Sequence, residues 1–200
     1  MAQIKLCGIT KAEDVAVINS IKPEYIGFVF AQKSKRYVTD ETARFLKNQL
    51  DPGINTVGVF VDETPGRVAA LMNNNTIDLA QLHGHEDEDY IRKLRTLTDK
   101  PVIRAFRIKS REDLINTMDC SADHVLLDAG AGEGTAFDWS WLKGYERPYF
   151  LAGGLDPYNV EEAVRQLRPY AVDVSSGIET GGIKDPVKMR KFVEAVRNII

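Results

Sequence analysis

Two residues at the ends of widely separated apolar runs supply a proton acceptor and a proton donor. Cys7 ends the first run, in Ile4-Lys5-Leu6-Cys7-Gly8-Ile9-Thr10, and Asp128 ends another, in His124-Val125-Leu126-Leu127-Asp128-Ala129-Gly130. If both runs are strands of one parallel barrel, thiol and carboxyl stand on the same rim, which points to isomerase chemistry. A free thiol has a pKa of about 8.5 and acts as base or nucleophile only once ionised. The alternative for Cys7 is a small packed apolar side chain, the common fate of a lone cysteine. Asp128 follows a run too apolar for an unpaired carboxylate, so it either caps the glycine-rich turn that follows or points into the mouth of the barrel. In the second case partial desolvation raises its pKa towards that of a general acid at neutral pH.

The other candidates are anchors. Gly153-Gly154 and Ser175-Ser176-Gly177 each follow a short apolar run. After the seventh and eighth strands of a parallel barrel such loops often hold a phosphate, because backbone N–H groups approach closely and a short helix points its N-terminus at the anion. Arg36, in Lys33-Ser34-Lys35-Arg36-Tyr37, can offer a bidentate fork to a carboxylate, against the alternative of a solvated basic loop. Asp62, His83, Arg107 and Asp173 lie at the ends of further runs. His83 and His85 have neither metal-ligand spacing nor a carboxylate cluster beside them, so no metal is expected and His83 is read as orienting its neighbours. Gly130-x-Gly132-x-Gly134 misses the dinucleotide fingerprint, and Gly182-Ile183-Lys184-Asp185 is not the Gly-Lys-Ser/Thr of a P-loop.

The elements that must hold these side chains repeat. Apolar runs near 3–7, 25–30, 55–61, 77–82, 101–106, 123–128, 149–152 and 171–174 alternate with amphipathic segments near 11–21, 39–49, 64–74, 86–96, 110–117, 138–143, 156–168 and 185–198. This is the pattern of βα units around a parallel sheet. The runs are near-continuous Val, Ile, Leu and Phe, as expected where both faces of a sheet are covered. Thr10, Thr39, Thr64-Pro65 and Asp156-Pro157 are expected helix starts. Eight units predict an α/β fold, a (β/α)8 TIM barrel forming a single domain over 1–200, with an open doubly wound sheet as competitor. The long glycine-rich stretch 129–137 is the kind of loop that serves as a lid or binding loop.

Composition excludes several classes. The 200 residues are 44% hydrophobic, enough for one sizeable core. With 26 Lys and Arg against 29 Asp and Glu, the formal charge of -3 produces no field to gather nucleic acid or anionic lipid, and neither partner is expected. There is no basic stretch followed by an apolar signal-like segment, and no apolar run nears the roughly 18 residues that span a bilayer. The expectation is a soluble, cytoplasmic protein. Cys7 and Cys120 form no C-x-x-C pair, so both are expected to stay reduced, with Cys120 incidental.

Taken together, Lys5-Leu6-Cys7-Gly8-Ile9-Thr10, Gly27-Phe28-Val29-Phe30, Ser34-Lys35-Arg36-Tyr37, Val57-Gly58-Val59-Phe60-Val61, Gln81-Leu82-His83-Gly84, Leu126-Leu127-Asp128, Phe137-Asp138-Trp139, Leu151-Ala152-Gly153-Gly154-Leu155 and Val172-Asp173-Val174-Ser175-Ser176-Gly177-Ile178-Glu179 give the chain its character. In that series it resembles the phosphoribosylanthranilate isomerase family from end to end, with 130–136 and 180–184 the least typical stretches. The resemblance implies the Amadori rearrangement of tryptophan biosynthesis, in which a phosphorylated aminosugar, N-(5-phosphoribosyl)anthranilate, becomes 1-(2-carboxyphenylamino)-1-deoxyribulose 5-phosphate. It implies Asp128 as general acid on the furanose oxygen and Cys7 as general base at C2, with no cofactor. It places Arg36 on the anthranilate carboxylate, His83 against the substrate, Asp173 near the anthranilate amine, and Gly153, Gly154, Ser175, Ser176 and Gly177 around the phosphate. Monomer and homodimer both remain open. The related histidine-pathway aminoaldose isomerase would be expected to carry Asp in place of Cys7. A metal-dependent epimerase would need a ligand cluster, and a phosphate-ligand sensor would keep the loops and lack turnover.

Overall fold

The computed structural model describes residues 1–128 and 139–199. Eight parallel strands close into a barrel in chain order: β1 (Gln3–Cys7), β2 (Tyr25–Val29), β3 (Asn55–Phe60), β4 (Leu79–Leu82), β5 (Val102–Arg107), β6 (His124–Asp128), β7 (Tyr149–Ala152) and β8 (Ala171–Val174). Closure is made by β1, where Lys5 lies opposite Tyr25 of β2 on one side and Asp173 of β8 on the other. The expected (β/α)8 class therefore stands, and the open doubly wound sheet falls because no edge is left unpaired. Helices α1 (Ala12–Ile21), α2 (Asp40–Lys47), α3 (Pro65–Asn73), α4 (Glu88–Arg95), α5 (Arg111–Met118), α6 (Val160–Leu167) and α7 (Pro186–Arg197) follow their strands. None of the described helices is long and apolar enough to cross a membrane.

The differences from expectation lie in the connections. After β6 a 3-10 turn, Trp139–Leu142, stands where a helix was expected at 138–143. The stretch 129–137, read as a lid, lies outside the described residues. After β8 comes a 3-10 turn, Ser176–Ile178, and then an unforeseen hairpin of β9 (Glu179–Thr180) and β10 (Ile183–Lys184). Thr39 caps α2 as expected, accepting from Thr42 N at 3.2 Å. Thr64 precedes Pro65 at the start of α3 but makes no side-chain cap bond. Thr10 is not a cap: Lys11 occupies that position, and it makes no side-chain cap bond. Asp156 caps a turn ahead of α6, accepting from Tyr158 N at 2.7 Å and Asn159 N at 3.0 Å, so that helix starts later than its Asp-Pro pair suggests.

Alternate residues along each strand enter different compartments. Ile4, Leu6, Ile26, Phe28, Leu82 and Leu127 face outward into the layer under the helices. Tyr25, Val57, Leu79, Ile103, Leu126 and Phe150 face inward and fill the N-terminal half of the barrel. Both faces are thus buried, which is why the runs read as continuous. The floor is aromatic: Tyr25 meets Phe150 edge-on at 5.5 Å between ring centres, and His124 stacks on Tyr170 at 5.4 Å. Above that floor several inward positions turn polar, beside a small apolar cluster of Cys7, Val29 and Val59.

Candidate active site

The first wall is carried by β1. Strand alternation turns Lys5 and Cys7 to the same inward face, with Cys7 at the C-terminal rim packed between Val29 and Val59 and 7% exposed. Gly27 lies opposite Cys7, and a Cβ there would come 2.6 Å from Sγ, so this glycine makes the room for the thiol. Lys5 is fully buried, and its Nζ donates to Asp173 Oδ1 at 2.9 Å. Burial works against the Lys5 charge, but Asp173 and Cys7 outweigh it and hold its pKa above the ordinary value. Burial likewise pushes the Cys7 thiol up; Lys5 and Lys184 pull it down, and Asp173 adds to the rise.

The β9–β10 hairpin adds a second layer of charge. Arg36 donates from Nε and Nη2 to the two oxygens of Glu179, both at 2.7 Å. Lys184 Nζ donates to Glu179 Oε1 at 2.6 Å and to Ser175 O at 2.9 Å. Burial alone would raise the Glu179 pKa, yet Arg36 and Lys184 bring it down to about 2. Arg36 reaches this position across Gly8, whose φ is +79° and where an added Cβ would lie 2.4 Å from Arg36 Cδ. The edge of Arg36 that grips a carboxylate bidentately is therefore held by Glu179. Any other carboxylate brought to Arg36 would have to meet Nη1 or displace that partner. A cavity of about 210 Å³ opens beside this wall, lined in part by Lys11, Asp14, Arg36 and Lys184.

The opposite wall is carried by β4 and β6. Asp128 follows Leu126 on the inward face, and its carboxylate Oδ2 lies 3.4 Å from His83 Nε2. Gln81, one inward step below His83, places Nε2 2.9 Å from His83 Nδ1. With Gln81 as donor, Nδ1 accepts and the ring proton lies on Nε2, facing Asp128. Gln81 is buried and its Oε1 finds no hydrogen-bond partner among the described residues. Arg107 ends β5 in register with Asp128. Asp62, by contrast, is tied to the exposed His85, accepting from its Nδ1 at 3.0 Å, and stands apart from this group.

Between the two walls run the loops after β7 and β8. Gly153 and Gly154 have φ of +96° and +68°, a conformation that favours glycine. A Cβ on Gly177 would fall 1.9 Å from Leu155 O, so the two loops touch backbone to backbone. The short helix expected after Ser175 is the 3-10 turn Ser176–Ile178. Among the described residues no group of three or more His, Cys, Asp or Glu is placed to hold a metal ion.

Cys7, Asp128, His83, Asp173, Arg36 and the two glycine-rich loops thus share one rim. The sequence reading did not single out Lys5, Gln81, Glu179 or Lys184 as site groups. A signal for the first was present: Lys5 interrupts an apolar run two residues before Cys7, as Asp173 interrupts the run that pairs with it.

Residues 4–195 match the family model described as N-(5'phosphoribosyl)anthranilate (PRA) isomerase. The chain belongs to that family. It is 44% identical over 204 residues to the N-(5'-phosphoribosyl)anthranilate isomerase of Endomicrobium trichonymphae, covering all of both chains. It is 45% identical over 206 residues to that of Thermoanaerobacter sp. (strain X514), again over all of both. Among solved structures, phosphoribosyl anthranilate isomerase from Thermotoga maritima superposes with a TM-score of 0.91 at 36% identity, covering 98% of this chain and 99% of that one. A phosphoribosyl anthranilate isomerase in complex with reduced 1-(o-carboxyphenylamino)-1-deoxyribulose 5-phosphate gives a TM-score of 0.89 at 35% identity, with the same coverage. The chain is thus a member of an isomerase family built on this barrel.

Proposed function

We propose that the protein converts N-(5'-phosphoribosyl)anthranilate to 1-(2-carboxyphenylamino)-1-deoxyribulose 5-phosphate in tryptophan biosynthesis, with Asp128 as general acid and Cys7 as general base. The observation that carries this reading is the inward placement of that carboxyl and that thiol on one rim, with the loops after β7 and β8 lying between them around the ring. The similar enzyme in complex with the reduced ribulose phosphate supports a phosphorylated aminosugar as the ligand.

Asp128 gives its proton to the furanose oxygen as the C1–O bond breaks, and the anilino nitrogen lone pair forms the C1=N Schiff base. Cys7, as thiolate, then takes the C2 proton. The electron pair moves into the C1–C2 bond to give an enolamine, which tautomerises to the ketone. Atoms and electrons balance within the substrate, so the reaction calls for no oxidant, reductant or cofactor. His83, donating from Nε2, steadies the Asp128 carboxylate once its proton has left. Each acid–base step is worth about 10²–10⁴ in rate, and orientation of the substrate must supply the rest. Arg36 and Asp173 serve as anchors for the anthranilate end, and Gly153, Gly154, Ser175, Ser176 and Gly177 as the phosphate cradle, where close-approaching backbone suits an anion.

The test mixes the purified protein with freshly prepared phosphoribosylanthranilate and follows the decay of substrate fluorescence. Decay well above the spontaneous rate, with formation of the carboxyphenylamino-deoxyribulose phosphate, is expected. Decay at the spontaneous rate rejects the reading.

A further inference from the structure

We propose that Lys5 is a positioning residue for the base: its buried ammonium, held by Asp173 one inward step below Cys7 on the same strand, supplies the positive charge that lets the sulfur become a thiolate inside an apolar pocket. The inference deepens the reading of Cys7 as general base and rests on it. The problem it answers is physical. Cys7 is packed against Val29 and Val59, and an isolated anion there is strongly disfavoured.

The charges facing the sulfur come from four places. They are Lys5 on β1, Asp173 on β8, Lys184 on β10 and Arg36 in the loop after β2. Arg36 and Lys184 both bind Glu179, which offsets their field. Of the three cations, Lys5 is the one that is fully buried on the strand of Cys7, two residues below it on the same inward face. Its ammonium is fixed there by Asp173 Oδ1 at 2.9 Å. A buried ion pair is a weak device for stability, since apolar residues of similar volume often serve as well or better. The Lys5–Asp173 pair under Cys7 therefore calls for a role beyond packing.

The experiment titrates the Cys7 thiolate by its ultraviolet absorbance in the full chain carrying Cys120→Ser, with the Cys7→Ser protein as blank. Lys5→Met should raise the apparent thiol pKa by about one unit, leaving about tenfold less thiolate at neutral pH. The acid limb of the kcat/KM profile should move up by the same amount. Lys5→Gln, which keeps a polar side chain at the position, should give the same rise. A purely structural role predicts an unchanged thiol titration in folded protein. An unmoved titration in folded Lys5→Met or folded Lys5→Gln overturns the proposal. If Lys5→Met does not fold, Lys5→Gln decides by the same criterion. The absorbance titration needs no substrate, so it reports on Lys5 even if the isomerase assay fails. An enzyme that turns over while its titration stays put rejects Lys5 alone.

Discussion

The two halves of the barrel interior come from the same strands and solve opposite problems. The floor fills its space with Tyr25, Ile103, Leu126 and Phe150, and it joins the Tyr25 and Tyr170 hydroxyls at 3.3 Å. The mouth, further along the same strands, holds Lys5, Gln81, Asp173, Cys7, His83 and Asp128. Burying apolar area stabilises the floor, whereas every charge in the mouth costs desolvation that its partners must offset. A division of labour is expected, in which the floor carries stability and the mouth holds the groups proposed for the chemistry.

That division can be broken most directly at the rim. Cys7→Ser and Asp128→Asn, made separately, are each expected to cut kcat by at least about a hundredfold, the lower end for one acid–base group, while ligand affinity and the thermal midpoint stay close to those of the parent. Near-parental turnover in either variant removes that residue from the mechanism. The reverse change belongs to the floor. Phe150→Ala should cost about 3–5 kcal/mol in denaturant unfolding, a large part of a typical domain's stability, while kcat per folded molecule holds. A large drop in kcat with little loss of stability would show that floor and mouth are not separable.

The smallest effect sharpens the boundary between the halves through pH. The Glu179 pKa is held at about 2 against an ordinary 4.5. A carboxylate depressed in the folded state contributes stability that is complete above its unfolded pKa and is lost as pH falls from about 4.5 through about 2. Glu179→Gln should flatten that acid limb of the stability curve. An unchanged acid limb would show that the Arg36–Glu179–Lys184 cluster does not help to hold the mouth together.

Much of this was legible in the sequence, for identifiable reasons. Parallel strands buried on both faces leave continuous apolar runs, and in a closed barrel all eight end on one rim. The residues that close the runs, Cys7 and Asp128 among them, were therefore visible as a set. The β9–β10 hairpin was not visible, because two-residue strands have no periodicity and Glu179 is held by Arg36 from 143 residues away. The segment after β6 misled for a related reason: Trp139–Leu142 has the apolar residues of a helix and only the length of one turn. Gln81 and Lys5 are mid-strand residues whose meaning lies in their neighbours across the barrel. Only the step of two to His83 and to Cys7 carried their signal.

One consequence follows from where the barrel closes. Lys5 sits on the first strand of the barrel in chain order, and its counterion, Asp173, sits on the last barrel strand, 168 residues later. Until that final strand docks, the ammonium beneath Cys7 has no carboxylate. The contact is also the most long-range in the site, so its loop-closure cost is the greatest there. Cys7 thus acquires its finished electrostatic setting when the cylinder is sealed, and a nascent or clipped chain without the eighth strand carries the thiol but not the Lys5–Asp173 pair beneath it.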